Sequence, residues 1–117
     1  MKNAITFIEI LSKDSKKLVD FYQNVFGWEI YPPQGSMEYR LMNPKADNGI
    51  MGAIGDPYAG EDWTCFYVAV DNIDETIEKV KSNGGLVKVP KFTTDTGFTQ
   101  AIVADAHGHV IGLQQAK

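Results

Sequence analysis

The sequence predicts an α+β fold built twice from one pattern. Three observations predict it. The order strand, helix, strand, strand, strand runs through residues 1–55 and again through residues 63–117. A polar, turn-rich segment, residues 56–62, links the two runs. Within each run, period-two alternation marks strands and a spacing of three and four marks one helix. The chain has 117 residues, 44% of them hydrophobic, which suits one domain with a real core.

Residues 4–11, AITFIEIL, read as a strand with Ile5, Phe7, Glu9 and Leu11 on one face and Thr6, Ile8 and Ile10 on the other. Asp14 is the expected N-cap of the first helix and Gly27 its expected C-cap. Between them Leu18, Phe21, Tyr22, Val25 and Phe26 recur at helical spacing. Strands are expected at 28–31, 37–42 and 50–54, with residues 43–49 as a hairpin connection. The pattern restarts with a strand at 63–70. Asn72 with Glu75 three residues on resembles a capping box. Ile73, Ile77 and Val80 mark the buried stripe of the second helix, which ends at Asn83-Gly84. Strands follow at 86–89, stopped by Pro90, then at 99–105 and 109–115.

The net charge of −4 argues against a nucleic-acid or anionic-membrane partner, since both need basic patches. No apolar run approaches the ~20 residues that span a bilayer. The N-terminus alternates apolar with polar, where a signal peptide would carry a continuous apolar run. The single cysteine, Cys65, permits no internal disulfide. A soluble cytoplasmic protein is expected. There is no Walker-type phosphate loop, no Cys-x-x-Cys and no Gly-x-Ser-x-Gly.

Three stretches, FIEILSKDSKKLVDFYQNVFGWEI, FYVAVDNIDETIEKVKSNGG and ADAHGHVIGLQQ, cover most of the chain and resemble the vicinal oxygen chelate superfamily. That superfamily includes glyoxalase I, the bleomycin-resistance proteins and extradiol dioxygenases. The resemblance implies two βαβββ modules in one chain, whose curved mixed sheet surrounds a cleft. It also implies metal ligands on the first and last strand of each module. Carried over from the motifs, those positions fall on Phe7, Gly52, Cys65 and Gly112. Only Cys65 among them can bind a metal, and one thiolate is not a site. No metal and no cofactor are therefore expected.

Both histidines, His107 and His109, flank Gly108 in the turn before the last strand. Two residues apart on one face, they raise the question of a metal. A solvated turn is the expected answer, with Asp105 bonding local backbone and Gly108 supplying a positive φ.

If Phe7 faces the cleft, Glu9 faces it too, and its repeat-related partner is Tyr67. A buried carboxyl opposite a phenol is the most chemical pairing in the chain and a candidate acid/base. The alternative is that Glu9 is held by backbone amides or an arginine and Tyr67 is packing. Gln114 is expected to face the same way, either toward a polar ligand or toward solvent. Gly52 and Gly112 either leave room for a planar ligand or permit close backbone packing. Trp63 is a candidate for stacking on a flat ligand. Arg40, the only arginine, pairs with Glu9, holds a ligand anion or is exposed.

Two functions stay open. One is a metal-independent binding protein that takes a small organic molecule in an aromatic cleft. The other is a lyase or isomerase related to lactoylglutathione lyase, using Glu9 as acid/base or an atypical metal set. The resemblance implies a homodimer in either case.

Overall fold

The computed structural model describes residues 3–115. The outermost residues of the two expected modules, 1–2 and 116–117, lie outside the described residues. The elements are β1 (Ala4–Leu11), α1 (Ser15–Phe26), β2 (Glu29–Ile30), β3 (Tyr39–Asn43), β4 (Met51–Gly55), β5 (Trp63–Val70), α2 (Ile73–Ser82), β6 (Leu86–Thr93), β7 (Thr99–Ala104) and β8 (Val110–Gln115). The α+β class and the repeated strand–helix–strand–strand–strand order are as the sequence predicts. The described residues divide into two compact units, one of them Phe7–Thr64, the other made of residues 65–115 with residues 3–6.

In the first module the strand order is β2-β3-β4-β1. β1 and β4 are parallel, and the other neighbours are antiparallel. α1 covers one face of this sheet. Ile8, Ile10, Ile30 and Ile54 pack there against Leu18, Val19 and Tyr22. The helix ends at Gly27, whose φ of 70° no side-chain-bearing residue adopts cheaply. At its other end Asp14 is the N-cap residue, as expected, but the structure departs from the usual capping pattern in that its side chain makes no cap hydrogen bond.

A second departure concerns the outer side of α1. Phe21, Val25 and Phe26 are each more than half exposed. The five apolar positions of this helix span more than one stripe, and the sheet takes only the stripe around Leu18 and Tyr22. Tyr22 in turn stacks on Trp28, with ring centroids 5.1 Å apart.

In the second module the order is β5-β8-β7-β6, with β5 and β8 parallel. Val70, Ala101, Val103 and Leu113 pack under Ile73 and Ile77 of α2. The Asn72 carboxamide accepts the Glu75 amide at 3.0 Å, as the capping pattern predicts. Gln115 accepts the Ile73 amide at 2.7 Å, so the last strand helps to cap this helix. β6 runs past Pro90, where the sequence predicts a stop. It is the outermost strand of its module, so proline's missing N–H interrupts no shared ladder there. The pairing with β7 shifts register on both sides of Val89.

The β7–β8 turn answers the histidine question locally. Asp105 Oδ1 accepts the amides of His107 and His109, both at 2.9 Å, and Gly108 takes a φ of 89°. Those two amides, His109's first, hold the Asp105 carboxyl below its usual range. Both histidines are exposed.

Candidate functional site

Strand alternation puts Phe7, Glu9 and Leu11 on the face of β1 turned away from α1. Glu9 is only 1% exposed. A carboxylate this deep needs donors, because each unsatisfied charged oxygen costs several kcal/mol (roughly 3–5 when a partner is removed). It has them. Tyr39 of β3 donates its hydroxyl to Oε2 at 2.6 Å. Tyr58, in the loop before β5, donates to Oε1 at 2.8 Å. The Trp63 indole N–H, at the start of β5, donates to the same oxygen at 2.9 Å. The Tyr58 ring also meets the Trp63 ring edge-on, centroids 5.5 Å apart. Among the described residues, no buried side-chain nitrogen or oxygen lacks a hydrogen-bond partner.

The register lays out the rest of this face. Glu9 pairs with Ala53 in β4, and Ala53 pairs with Leu41 in β3. One step along, Phe7 pairs with Met51. Ala53 is fully buried, yet Leu41 is 38% and Met51 41% exposed. An apolar patch of Phe7, Leu41 and Met51 therefore borders a buried carboxylate and its aromatic donors. At the β2 end, Glu29 pairs with Asn43, and its carboxyl is held below its usual range by the Tyr31 hydroxyl and by Lys45.

The expected site residues fall into three groups. Glu9 and Trp63 come together, but Trp63 is nearly buried and its N–H is committed to Glu9, so stacking on a ligand is not its role as placed. Tyr67, Gly112 and Gln114 come together in the second module. Tyr67 is 1% exposed and pairs with Gly112, where a Cβ would stand 2.5 Å from the Tyr67 ring. Gly112 thus seats an aromatic of its own chain. Gln114 accepts from Gln100 at 2.6 Å, and Cys65 is buried.

Gly52 stands apart. The register sets it opposite Ile8, on the face toward α1, and sets Met51 opposite Phe7. A Cβ at Gly52 would meet the Ile8 carbonyl oxygen at 2.7 Å and Met42 at 3.0 Å. Its glycine serves packing, and the expectation that it shares a face with Phe7 is corrected by one residue. Arg40 bonds Glu38 at 2.6 Å rather than Glu9.

The metal positions implied by the resemblance can be judged on their donors. Phe7, Gly52 and Gly112 offer none, Met51 would add only a thioether, and Cys65 is one thiol. Among the described residues no group of three or more His, Cys, Asp or Glu is placed to hold a metal. This donor set does not fit a catalytic metal.

Sequence reasoning passed over Tyr58, Leu41 and Met51. A signal for Tyr58 was present: a large aromatic in the middle of GDPYAGED has little reason to sit in a solvated linker. Leu41 and Met51 gave none, since their exposure follows from which strands cover them.

Two βαβββ modules, each a four-stranded sheet with one helix on one face, define the class of this α+β protein. The model of the Glyoxalase/Bleomycin resistance protein/Dioxygenase superfamily matches residues 4–113, and the chain belongs to that family. A provisionally named glyoxylase of Mycobacterium tuberculosis, CFP32, is 27% identical over 117 residues, covering 94% of this chain and 44% of the relative. The chain thus spans less than half the length of that relative. A glyoxylase-like domain-containing protein of Didymella fabae is 31% identical over 94 residues, 73% of this chain and 71% of the relative. Among solved structures, a Bacillus halodurans protein of unassigned function, BH1468, superposes with a TM-score of 0.69 at 16% identity, over 100% of this chain and 96% of its own. A Streptomyces coelicolor methylmalonyl-CoA epimerase gives 0.65 at 18% identity, over 99% of both chains. These structures share the fold. Among the described residues no helix is long and apolar enough to cross a membrane.

Proposed function

We propose that this chain binds a small organic molecule without a metal, on the first-module face formed by Phe7, Leu41 and Met51. The observation that carries the reading is the step in exposure along that face. Ala53 and Glu9 are sealed, while Leu41 and Met51 beside them are about 40% exposed. Apolar side chains open on a strand face, next to a buried charge, suit an apolar body with a polar head. The donor-poor metal positions favour binding over Lewis-acid chemistry.

The second reading is a lyase or isomerase with Glu9 as acid or base. The burial of Glu9 beside two phenols favours it. Its cost is that the donors already holding both oxygens must give way before Glu9 reaches a substrate proton. Glu9→Gln separates the two. Lost turnover with intact folding would establish the enzyme; binding without turnover in both proteins supports the binding reading.

The test of metal independence is elemental analysis of purified, tag-free protein, before and after chelator. Less than about a tenth of a metal per chain, with ligand uptake unchanged by chelator, is expected. Near one metal per chain, resisting mild chelation, would contradict it. A cytoplasmic homodimer goes with this reading. The relative of about twice the length has room for two such units, and a lone buried cysteine suits a reducing compartment.

A further inference from the structure

We infer that Tyr58 is a displaceable gate on Glu9, and that the ligand is a molecule whose hydroxyl or N–H replaces the Tyr58 phenol on that carboxylate. The inference rests on the first-module face being the ligand surface.

The donors Tyr39, Tyr58 and Trp63 are held differently. Tyr39 and Trp63 sit on strands, and their positions are fixed by the sheet. Tyr58 sits on the loop between β4 and β5. That loop is tied down at its ends. The Asp56 amide donates to the Glu38 carbonyl at 2.8 Å, and the Ser15 hydroxyl donates to the Asp56 carboxylate at 2.6 Å. At the other end Asp62 accepts the Lys13 amide at 3.1 Å. Between these anchors run Pro57, Tyr58, Ala59, Gly60 and Glu61. Gly60 has a φ of 81° and open space around it, so the backbone there can turn without a clash. Tyr58 is thus carried by a loop held at both ends, and Tyr39 and Trp63 by strands.

The exchange is chemically balanced. Oε1 gives up one neutral O–H donor and gains another, while Trp63 keeps its bond to the same oxygen. The carboxylate is never left without donors, so displacement avoids most of the cost of exposing a buried charge. The incoming group must be a donor. A ligand carboxylate or phosphate would set like charge against Glu9. The body behind the donor must be apolar, to lie over Phe7, Met51 and Leu41.

The probe is p-cresol, the side chain of tyrosine itself, with toluene as the matched molecule lacking the hydroxyl. Chelator-treated wild type and Tyr58→Phe are titrated with each. The Trp63 indole N–H and the Met51 methyl are followed by NMR. The phenylalanine keeps the ring and the packing on Trp63 but has no hydroxyl to donate to Glu9. We expect p-cresol to shift both signals and to bind Tyr58→Phe about tenfold more tightly than wild type, the worth of one such hydrogen bond. Toluene should move Met51 with the same affinity for both proteins. Equal p-cresol affinities for the two, or a Met51 shift with Trp63 unmoved, overturns the gate and leaves the binding face standing. No shift of either signal with either probe overturns both.

Discussion

Glu9 in β1 and Tyr67 in β5 hold the same place in their modules. Each lies in the opening strand, on the face away from its helix, opposite a small residue of the last strand, Ala53 or Gly112. Each is 1% exposed. Around Tyr67 the neighbours close up. Its ring lies over Gly112, Ile102 beside Gly112 is fully buried, and Gln100 bonds Gln114. Around Glu9 a polar hub forms, and Leu41 and Met51 next to it stay open. One repeat thus uses the position to seat a ring over a glycine and the other to set a carboxyl beside an accessible apolar patch. The internal repeat specifies the fold twice, and the side chains on the helix-free faces make the proposed binding face once.

The largest effect should come from breaking the hub. Glu9→Ala takes the acceptor from the buried Trp63 N–H and from the half-buried Tyr39 and Tyr58 hydroxyls, and denaturant unfolding should show a loss of roughly 3–5 kcal/mol. Glu9→Gln, which keeps an acceptor, should lose less than half of that. Equal losses would mean that the site values volume and not the hydrogen bonds.

The second module should answer to bulk instead. Gly112→Ala puts a methyl into the Tyr67 ring and should cost about 1–3 kcal/mol. Tyr67→Leu should make the same Gly112→Ala change much cheaper, a coupling read from the double-mutant cycle. Additive losses would break the proposed contact. In contrast, Leu41→Thr with Met51→Thr should change stability by no more than about 1 kcal/mol. It should still weaken binding of an apolar probe such as toluene. A stability loss as large as that of Glu9→Ala would show that the patch is core.

The smallest effect concerns the β7–β8 turn. The Asp105 carboxyl is held below its ordinary value of 3.8 by the His109 and His107 amides. Its contribution to the turn is therefore complete above that value and is lost as pH falls through the lowered one. The His107 and His109 amide resonances should titrate together with a midpoint below 3.8. Asp105→Asn should abolish that titration and leave the Glu9 hub untouched.

The fold was almost wholly legible because its signals are local. The alternation of AITFIEIL, the helical spacing around Tyr22, Asn72 before α2 and Gly27 after α1 all lie within a few residues of what they control. The site was legible only in part. Glu9 stood out as a charge on an apolar strand. Its partners Tyr39, Tyr58 and Trp63 lie 30, 49 and 54 residues away, and no local pattern joins them to it. Gly52 shows the opposite limit. A glycine in IMGAI and another in VIGLQ look equivalent along the chain, but their pairings place one opposite Ile8 and the other opposite Tyr67. In a strand, one residue of register decides the face.

The most direct test of the central claim uses the protein's own methionines. Met51 lies on the open face and is 41% exposed, while Met42 is 1% exposed on the helix side. Chelator-treated protein with labelled methionine methyls is titrated with a small-fragment library. If the first-module face takes ligand without a metal, fragments with an apolar body and a hydroxyl or amine should move Met51 and leave Met42 in place. A library that moves Met51 only after a divalent metal is added, or never moves it, would contradict the account.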